Sequence, residues 1–349
     1  MKILIKTYGC QANISDSEIL AGELVSDGHI LVNSEEEADK IIVNSCSVKN
    51  KTQSKIIHYI SEYHDSGKEI EVGGCLVKTI NLKEKFPNIH IIDTINTNKL
   101  DSRIIRRNRD IGIIQISQGC LNVCTFCATK LARGNLKSFR IGDIKRQIEK
   151  VVNEGCKTIY LTSQDNGCYG RDIGTNLPEL LKELIEVEGN YKIRVGMMNP
   201  WHLRKILRDL IEVYKNDKIQ KFLHIPVQSG NEKVLKDMKR IHSASEFKQA
   251  VKLFREAFPR NIYPDSTIAT DIIVGFPTET EEDFQDTLNL IEEIKPEVIN
   301  ISAFSSRPGT NASKMKQLKS EIIKERTRKL NEVYLRYRPT LNHNLLKIF

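Results

Sequence analysis

The chain has 349 residues, of which 40% are hydrophobic, and its formal net charge is +8. This length is typical of two domains, and no run reaches the roughly 18 consecutive apolar residues of a membrane span. The apolar run at the N-terminus is short and is interrupted by Lys6, which is unlike an export signal. We therefore expect a cytoplasmic chain outside the membrane. In that location the eight cysteines are expected to be metal or catalytic ligands rather than disulfides.

The first 97 residues alternate short apolar runs with helical patterns. Three runs predict buried strands of a parallel sheet, namely KILIKTYG, KIIVNS and EIEVGG. Between the first two, SDSEILAGELVSDG predicts a helix, because Ser15 and Glu18 have capping-box spacing and Gly28 is a stop signal. These features predict a Rossmann- or flavodoxin-like α/β domain over residues 1–105.

A cysteine follows each of these strands, at Cys10, Cys46 and Cys75. Because parallel strands end at one edge of the sheet, where ligands bind, we expect the three thiols to converge. Gly9 and the pair Gly73–Gly74 are predicted to let the backbone approach a bulky group there. One cysteine after a strand is most often a small buried residue, but three in the same position favour a set of ligands.

Residues 98–110 predict a polar, basic connector, after which the alternation of strands and helices restarts. Six strands are predicted, namely IGIIQIS, TIYLTSQD, KIRVGMM, KFLHIPVQSG, TIATDIIVGF and VINISAF. Six strand–helix units are fewer than the eight of a closed barrel. We therefore predict an open, partial (β/α)6 barrel over residues 106–338, with its functional edge at the carboxyl ends of the strands.

Three further cysteines, Cys120, Cys124 and Cys127, lie in the segment SQGCLNVCTFCATK, directly after the first strand of this barrel. Protein-held iron–sulfur clusters and structural zinc sites normally have four protein ligands, whereas a catalytic metal site keeps an open position. The spacing therefore predicts three thiolates on a four-iron cluster whose fourth iron binds a small molecule. Zinc is a weaker alternative, since His90 and His202 are distant in sequence, and so is an electron-carrying cluster.

This loop, at this place in a β/α barrel, resembles that of the radical S-adenosylmethionine superfamily. In that superfamily the free iron binds S-adenosylmethionine, and one electron cleaves the cofactor to a 5′-deoxyadenosyl radical. With its N-terminal cysteines, the chain resembles the methylthiotransferases, which insert sulfur into an unreactive C–H bond and cap it with methyl. The matching segments are TYGCQANISDSE, VNSCSVK, GGCLV, SQGCLNVCTFCATKLARG, LTSQDNGCYGRDIG, RVGMMNPWH, LHIPVQSGNEKVLKDMKR and DIIVGFPTETEEDF. The segments TYGCQANISDSE and GMMNPWH most resemble the archaeal and eukaryotic branch.

The resemblance implies two [4Fe–4S] clusters and S-adenosylmethionine as cofactors. The radical cluster would have three catalytic ligands, Cys120, Cys124 and Cys127. An auxiliary cluster, whose free iron carries the sulfur or methylthio group, would have the ligands Cys10, Cys46 and Cys75. Candidate contacts to S-adenosylmethionine are Ser163, Gln164, Asp165, Gln228, Ser229 and Gly275. Two cysteines are assigned to neither cluster, Cys156, which we expect to be buried, and Cys168.

The same resemblance implies a substrate. Members of this branch act on N6-threonylcarbamoyladenosine beside the tRNA anticodon, at position 37, and form its 2-methylthio derivative. The implied partners are the anticodon stem-loop of tRNA, an electron-donor protein and a sulfur donor. Alternatives are the same chemistry on isopentenyladenosine in tRNA or on a ribosomal protein, and a non-catalytic iron–sulfur or zinc RNA-binding module.

Cationic residues are concentrated in two segments, residues 130–146 and residues 301–349, of which the second holds 11 Lys and Arg against three Asp and Glu. Both segments favour a polyanionic partner, with a solvated Lys-rich surface as the alternative. Methylthiotransferases usually end in a TRAM β-barrel, which we do not expect after the predicted helix KSEIIKERTRKLNEVYLRYR. Residues 339–349 are then a short tail, and either the sequence is truncated or RNA binding depends on the basic terminal helix and a partner.

Overall fold

The computed structural model describes residues 1–48, 50–65 and 67–338, and the tail predicted at 339–349 lies outside them. The chain divides into two compact units. The first unit comprises Met1–Asn122, Cys127–Gln164 and Glu186–Tyr191. The second comprises Val123–Phe126, Asp165–Ile185 and the residues from Lys192 onward. The domain boundary between residues 105 and 106 stays a prediction.

The main sheet of the first unit is formed by β1 (Lys2–Thr7), β2 (Ile30–Leu31), β3 (Lys40–Ser45), β4 (Glu69–Gly74) and β5 (His90–Ile91). All neighbours are parallel, in the order β2-β1-β3-β4-β5. The last five residues of β3 are buried, as near-continuous apolar strands of a parallel sheet require. The three predicted strands coincide with β1, β3 and β4, so the parallel sheet is confirmed.

Two helices, α1 (Gln11–Ser26) and α2 (Asn50–Asp65), connect these strands. Helix α1 begins four residues before the predicted Ser15, with Cys10 as the residue that precedes its first turn. The predicted capping box was wrong, because Ser15 is buried inside the helix rather than placed at its start. The stop signal is confirmed, since Gly28 follows the helix with a φ of +82°.

The first unit continues with β6 (Ile111–Gln115), β7 (Ser117–Gln118), α3 (Ala128–Arg133), β8 (Lys137–Ser138), α4 (Ile141–Asn153) and β9 (Thr158–Thr162). Strands β6 and β9 are parallel, and β7 and β8 form a short antiparallel ribbon. Gly112 lets α4 pack closely on β6, because a Cβ there would lie 3.0 Å from Cγ2 of Val151.

The second unit contains α5 (Leu177–Ile185), β10 (Lys192–Val195), α6 (Pro200–Leu203), α7 (Leu207–Tyr214), β11 (Phe222–His224), α8 (Glu232–Asp237), α9 (Ala244–Ala257), β12 (Thr267–Val274), α10 (Glu281–Ile294), β13 (Val298–Ala303) and α11 (Ser320–Tyr337). Strands β11, β12 and β13 are parallel neighbours. Two helices begin with complete capping boxes, α9 at Ser243 and α10 at Thr280.

All six strands predicted for the second half of the chain are present, as β6 and β9 to β13, and helices separate them. The α/β fold class with parallel sheets is confirmed. Within residues 1–48, 50–65 and 67–338, none of the helices combines the length and apolar character that crossing a bilayer requires.

Candidate functional site

Cys10, Cys46 and Cys75, here called the strand-end cysteines, follow β1, β3 and β4 in the first unit. The Sγ atoms of Cys10 and Cys75 lie 3.9 and 3.8 Å from Oδ1 of Asn13. Cys46 belongs to the same group, since a Cβ built on Gly9 would lie 3.0 Å from its Sγ and 3.1 Å from Nδ2 of Asn13. The structure therefore brings the three thiols together at the carboxyl ends of the strands.

Asn13 in the first turns of α1 is oriented by hydrogen bonds on its other amide atom. Its Nδ2 donates to the carbonyl oxygens of Tyr8 and Ser45, at 2.9 and 2.8 Å. Nδ2 of Asn44 donates to the carbonyl oxygen of Asn13 at 2.8 Å. Because Asn13 is fully buried and its donors are used, Oδ1 is left to accept hydrogen bonds on the side of the cysteines.

The strand-end cysteines differ in exposure. Cys46 and Cys75 are buried, whereas Cys10 is exposed. Burial raises the pKa of the Cys75 thiol to about 11, although the positive charge of Arg133 lowers it. The Cys75 thiol is therefore protonated at neutral pH without a metal, and binding of a thiophilic metal would deprotonate it.

The glycines beside these cysteines make room for the protein's own atoms. A Cβ on Gly74, whose φ is +86°, would lie 2.3 Å from the carbonyl oxygen of Ser45. A Cβ on Gly73 would lie 2.5 Å from Cγ2 of Thr94. Protein atoms therefore occupy the space that a side chain at Gly73 or Gly74 would need, and the predicted close approach of the backbone to a bulky group stays a prediction.

Cys120, Cys124 and Cys127, here called the loop cysteines, are all half-buried. In the first unit, the Sγ of Cys120 accepts hydrogen bonds from the backbone N and the Nδ2 of Asn122, at 3.4 and 3.2 Å. Nζ of Lys130 donates to the carbonyl oxygen of Cys120, and the amide of Cys120 donates to the carbonyl of Gly134 at 3.2 Å. Cys127 directly precedes α3.

Cys124 belongs to the second unit, where its neighbours hold the segment in place. The amide of Thr125 donates to the carbonyl of Met238 at 3.1 Å, and its own carbonyl accepts from the amide of Ala312 at 2.9 Å. Phe126 packs against a buried cluster that includes Met238 and Ala312. Nη1 of Arg240 lies 3.5 Å from the Sγ of Cys124.

The donors of both sets fit iron–sulfur clusters. Thiolate is the soft ligand that holds iron–sulfur clusters and zinc, and each set offers three thiols. All eight cysteines are thiols rather than disulfides. Each set offers three sulfur ligands, so a four-iron cluster held by it would keep one iron open for another ligand.

Two of the six candidate cofactor contacts, Ser163 and Gln164, follow β9 in the first unit. Oε1 of Gln164 accepts a hydrogen bond of 2.6 Å from the amide of Gly119, next to Cys120. Gly119 has a φ of +77°, and a Cβ there would collide with the carbonyl of Asn135. Gln164 therefore helps to hold the start of the cysteine loop.

Asp165 is fully buried in the second unit. Its Oδ1 accepts hydrogen bonds of 3.0 Å from the amides of Gly167 and Asn199, and its Oδ2 lies 3.8 Å from Nε2 of His202. Burial lowers the pKa of His202 to about 3, helped by the positive charges of Arg171 and others nearby. His202 is therefore neutral at neutral pH, and Asp165 organises the turn that follows it.

The other three candidates have structural partners within the second unit. Gln228 is buried with a φ of +75°, a strained conformation of the kind that is found at functional sites. The Ser229 hydroxyl lies 3.3 Å from Oγ1 of Thr287. Gly275 donates its amide to Glu279 at 3.1 Å, and a Cβ there would lie 2.6 Å from Cγ1 of Ile323. None of these partners tests a cofactor contact, which stays a prediction for all six residues.

Sequence analysis missed a buried charged network beside the strand-end cysteines. Asp16 of α1 is fully buried, and three side chains donate to its carboxylate over 2.6, 2.7 and 2.6 Å, namely Lys99, Gln115 and Arg133. Lys99 had been assigned to a polar connector, but it is buried. The sequence did contain one signal of this network. Asn13 and Asp16 are three residues apart, so a helix places both polar side chains on one face.

Part of the basic sequence is not available to a polyanion. Arg133 of the segment 130–146 is buried, and so are Arg307 and Arg326 of the segment 301–349. Arg326 pairs with Glu279 at 2.8 Å. These three cations are therefore not available to a polyanion, whereas Lys137, Arg140 and Arg146 are exposed.

The two unassigned cysteines are buried. The Sγ of Cys156 donates to the carbonyl of Arg109 at 3.4 Å, which confirms the expected burial. The Sγ of Cys168 donates to the carbonyl of Asp165 at 3.1 Å.

Comparison with protein families gives two matches. Residues 114–291 match the model of the Radical SAM superfamily, and residues 2–94 match that of the Uncharacterized protein family UPF0004. The first match begins within β6 and includes the loop cysteines, and the second includes all three strand-end cysteines.

Curated relatives extend over nearly the whole chain. The "Probable threonylcarbamoyladenosine tRNA methylthiotransferase" of Pyrococcus horikoshii is 41% identical over 99% of this chain and 87% of the relative. The human threonylcarbamoyladenosine tRNA methylthiotransferase is 38% identical over 97% of this chain and 63% of the relative.

Solved structures with the same fold are more distant. The radical S-adenosylmethionine methyltransferase TsrM of Kitasatospora setae, solved with cobalamin and a [4Fe–4S] cluster, has a TM-score of 0.62 at 12% identity, over 89% of this chain and 77% of that one. The cobalamin-dependent S-adenosylmethionine radical enzyme OxsB, with aqua-cobalamin and S-adenosylmethionine, has a TM-score of 0.55 at 12% identity, over 97% and 57%. These likenesses concern the fold alone.

Proposed function

The chain belongs to the radical SAM superfamily and, within it, to the threonylcarbamoyladenosine tRNA methylthiotransferases, and on that premise we propose that it converts N6-threonylcarbamoyladenosine at position 37 of tRNA to the 2-methylthio derivative. The observation that carries the proposal is the gathering of Cys10, Cys46 and Cys75 around Asn13, in a chain that has a second set of three cysteines in its radical SAM domain. A radical enzyme with one cluster would not require the strand-end set.

The proposal gives each set of cysteines a cluster. Cys120, Cys124 and Cys127 are the ligands of a [4Fe–4S] cluster that binds S-adenosylmethionine, and the strand-end cysteines are the ligands of an auxiliary [4Fe–4S] cluster. When bound, the first cluster supplies an electron to the cofactor and the second supplies an open iron for sulfur. The protein's own part is to hold the thiols and to exclude competing reactions.

The environments of the thiols suit these separate tasks. Cys46 and Cys75 are buried, so an assembly bound there is shielded from water on that side, while the exposed Cys10 leaves an approach for an incoming sulfur source or substrate. The half-buried loop cysteines have hydrogen-bond donors directed at sulfur from Asn122 and Arg240. Such donors stabilise thiolate ligands and raise the potential of a cluster.

For S-adenosylmethionine, the proposed contacts are Ser163, Gln164, Asp165, Gln228, Ser229 and Gly275. Support comes from the hydrogen bond of Gln164 to the cysteine loop and from the positive φ of Gln228. The two domains proposed are residues 1–105, for the auxiliary cluster, and residues 106–338, for the radical chemistry.

The proposed partners are the anticodon stem-loop of tRNA, an electron-donor protein and a sulfur donor, in the cytoplasm. Exposed cations of residues 130–146, such as Lys137 and Arg140, are suited to contact phosphates. Each phosphate contact that they make would release a counterion, so binding should weaken as salt rises.

The test is nucleoside mass analysis of tRNA from a host that makes N6-threonylcarbamoyladenosine but not its 2-methylthio form. Expression of the chain should produce the 2-methylthio nucleoside, and a Cys10→Ala/Cys46→Ala/Cys75→Ala variant should not. Cys156→Ala is the matched control, because it changes a buried cysteine outside both sets and should leave the product in place.

A host that also makes isopentenyladenosine separates the nearest alternative substrate. If only the isopentenyl nucleoside gains a methylthio group, the proposed substrate is wrong while the chemistry is retained. If neither nucleoside gains a methylthio group although the expressed chain has its full iron content, the proposed function fails.

A further inference from the structure

The buried network around Asp16 carries more positive than negative charge. Lys99 and Arg133 both pair with this carboxylate, at 2.6 Å each, and all three side chains are at most 2% exposed. Gln115, the remaining donor, is neutral. The buried members of this group are two cations and one carboxylate, and the other carboxylate that attracts Lys99, that of Asp93, is exposed. The surplus of one buried positive charge is costly in a protein interior unless an anion is bound nearby.

Arg133 also has hydrogen-bonding capacity that its partners Asn13 and Asp16 do not use. Its Nη2 donates to Asn13 and Asp16, at 2.8 and 2.6 Å. Its Nε and Nη1 are buried and make no well-formed hydrogen bond to a described residue, although the side chain interacts with the thiol of Cys75. Buried donors without a partner are rare and expensive. The Nη2 of Arg133 is fixed by Asn13 and Asp16, so its Nε and Nη1 are positioned to donate hydrogen bonds to an anion.

The unused part of Arg133 lies in the strand-end cysteine group. The atom that accepts from its Nη2, Oδ1 of Asn13, is the same atom that the Sγ atoms of Cys10 and Cys75 approach. Burial raises the pKa of the Cys75 thiol, whereas the positive charge of Arg133 and a side-chain hydrogen-bonding interaction with it lower that pKa. The excess positive charge and the unused donors therefore occur beside the three thiols.

We propose that Arg133 is a positioning residue for the auxiliary cluster, to whose anionic sulfur atoms it donates hydrogen bonds through Nε and Nη1. This inference rests on the proposed function, since it requires a cluster on Cys10, Cys46 and Cys75. A [4Fe–4S]2+ core bound by three thiolates has one net negative charge, which matches the one surplus positive charge of the network. Reduction adds a second negative charge, so Arg133 favours the reduced form.

The position of Arg133 in the chain gives this contact a second consequence. Arg133 is the last residue of α3, the helix that directly follows the loop cysteine Cys127. Its bonds to Asn13 and Asp16 connect that helix to α1, which follows the strand-end cysteine Cys10. One side chain therefore fixes the segment after one set of ligands to the segment after the other.

The experiment isolates the auxiliary cluster in the full-length chain carrying Cys120→Ala, Cys124→Ala and Cys127→Ala. In this background we would measure iron content and the midpoint potential, by dithionite titration followed by electron paramagnetic resonance. Arg133→Met removes the charge and the donors, and Arg133→Lys keeps the charge but lacks the fork of donors. Lys99→Met is the matched control, because it removes the other cation from Asp16, and the hydrogen bonds that Lys99 makes to described residues go to Asp16, Thr94 and Thr97 rather than to a cysteine.

The expected result is a midpoint potential that is more negative in Arg133→Met than in Lys99→Met, with a smaller negative shift in Arg133→Lys. Loss of iron from Arg133→Met but not from Lys99→Met also supports the proposal, provided that the metal-free forms of the two variants have equal melting temperatures. Equal potentials and iron contents in Arg133→Met and Lys99→Met would overturn it, as would an unchanged potential in Arg133→Lys.

The background itself separates this inference from the proposed function. If the chain without loop cysteines holds no iron after anaerobic reconstitution, the auxiliary cluster does not form and both proposals fail. If it holds about four irons and the Arg133 variants behave like Lys99→Met, only the role of Arg133 fails.

Discussion

The strand-end cysteines and the loop cysteines are assembled by different parts of the chain. The loop cysteines lie within eight residues of sequence, so they are near one another even in the unfolded chain. The strand-end cysteines follow three different strands and meet only once β1, β3 and β4 have paired. Loop closure over a few residues costs little entropy, whereas the strand-end site requires the sheet, so we expect its metal affinity to depend on folding.

Their surroundings differ in the same sense. Two of the strand-end thiols are buried next to the network of Asp16, Lys99 and Arg133, while the loop thiols are half-buried. The group that depends on long-range strand pairing is thus the one beside the buried charges. Removing one partner of a buried ion pair is strongly destabilising, because the other charge is left uncompensated. Three cysteines can thus be grouped by local sequence, as in the loop, or by the pairing of distant strands, as at the strand ends.

The largest expected effect separates the two sets by their reactions. Alanine at all three loop cysteines should abolish both cleavage of S-adenosylmethionine and formation of the methylthio nucleoside. Alanine at all three strand-end cysteines should abolish only the nucleoside and leave cofactor cleavage measurable, because the radical cluster is intact. Chromatography of 5′-deoxyadenosine and of tRNA nucleosides checks this. Loss of both reactions in both variants would show that the sets do not act separately.

Asp16→Asn tests the buried charges of the strand-end site. It leaves Lys99 and Arg133 without a carboxylate, so the free energy of unfolding of the metal-free chain should fall by about 3–5 kcal/mol. The measurement is urea unfolding. Asp143→Asn is the control, because its pair with Arg146 is exposed and should matter by less than about 1 kcal/mol. An equal effect of the two variants would mean that the buried network does not stabilise the fold.

Gly74→Ala tests the close packing of the strands that end at these cysteines. The new Cβ would collide with the backbone of Ser45 at a φ of +86°, so we expect a loss of roughly 2–4 kcal/mol in the free energy of unfolding. Gly174 also has a positive φ, of +76°, but nothing lies within 4 Å of its Cβ position. Gly174→Ala should cost only about 1 kcal/mol of backbone strain. Similar losses at both sites would contradict the close contact at Gly74.

The smallest expected effect is a dependence on pH in the second unit. Burial lowers the pKa of His202 and of His242 to about 3, from the ordinary value of 6.5 for histidine. A histidine with a depressed pKa stabilises the fold above its unfolded pKa, and this stability is lost as the pH falls through 6.5 toward 3. Between pH 7.5 and 5, each should contribute a loss of up to about 2 kcal/mol. Urea unfolding of His202→Gln at both pH values should show a smaller loss than the wild type, and an equal loss would be contrary evidence.

Much of this architecture could be predicted because its signals are local. Apolar runs predicted β1, β3, β4 and the later six strands, and the rule for strand ends predicted that Cys10, Cys46 and Cys75 would meet. The start of α1 was predicted wrongly, because the capping-box pattern at Ser15 indicates a later start than the observed one at Gln11. The helix begins two residues after Gly9, whose φ is +116°.

The charged network could not be predicted from local pattern. The partners of Asp16 lie 83, 99 and 117 residues away in sequence, and a Lys in a basic segment ordinarily indicates solvent exposure. Only the packing of α1 against the segments around Lys99, Gln115 and Arg133 turns them into buried partners. The same limit applied to the glycines, whose neighbours are defined by strand pairing and not by adjacent sequence.

The most direct test of the account is iron and acid-labile sulfide per chain after anaerobic reconstitution. The wild type should hold about eight irons, and each triple alanine variant, at the loop cysteines or at the strand-end cysteines, about four. About four irons in the wild type that fall to none without the loop cysteines would contradict the account, because the strand-end cysteines would then be core residues and the chain a radical enzyme with one cluster.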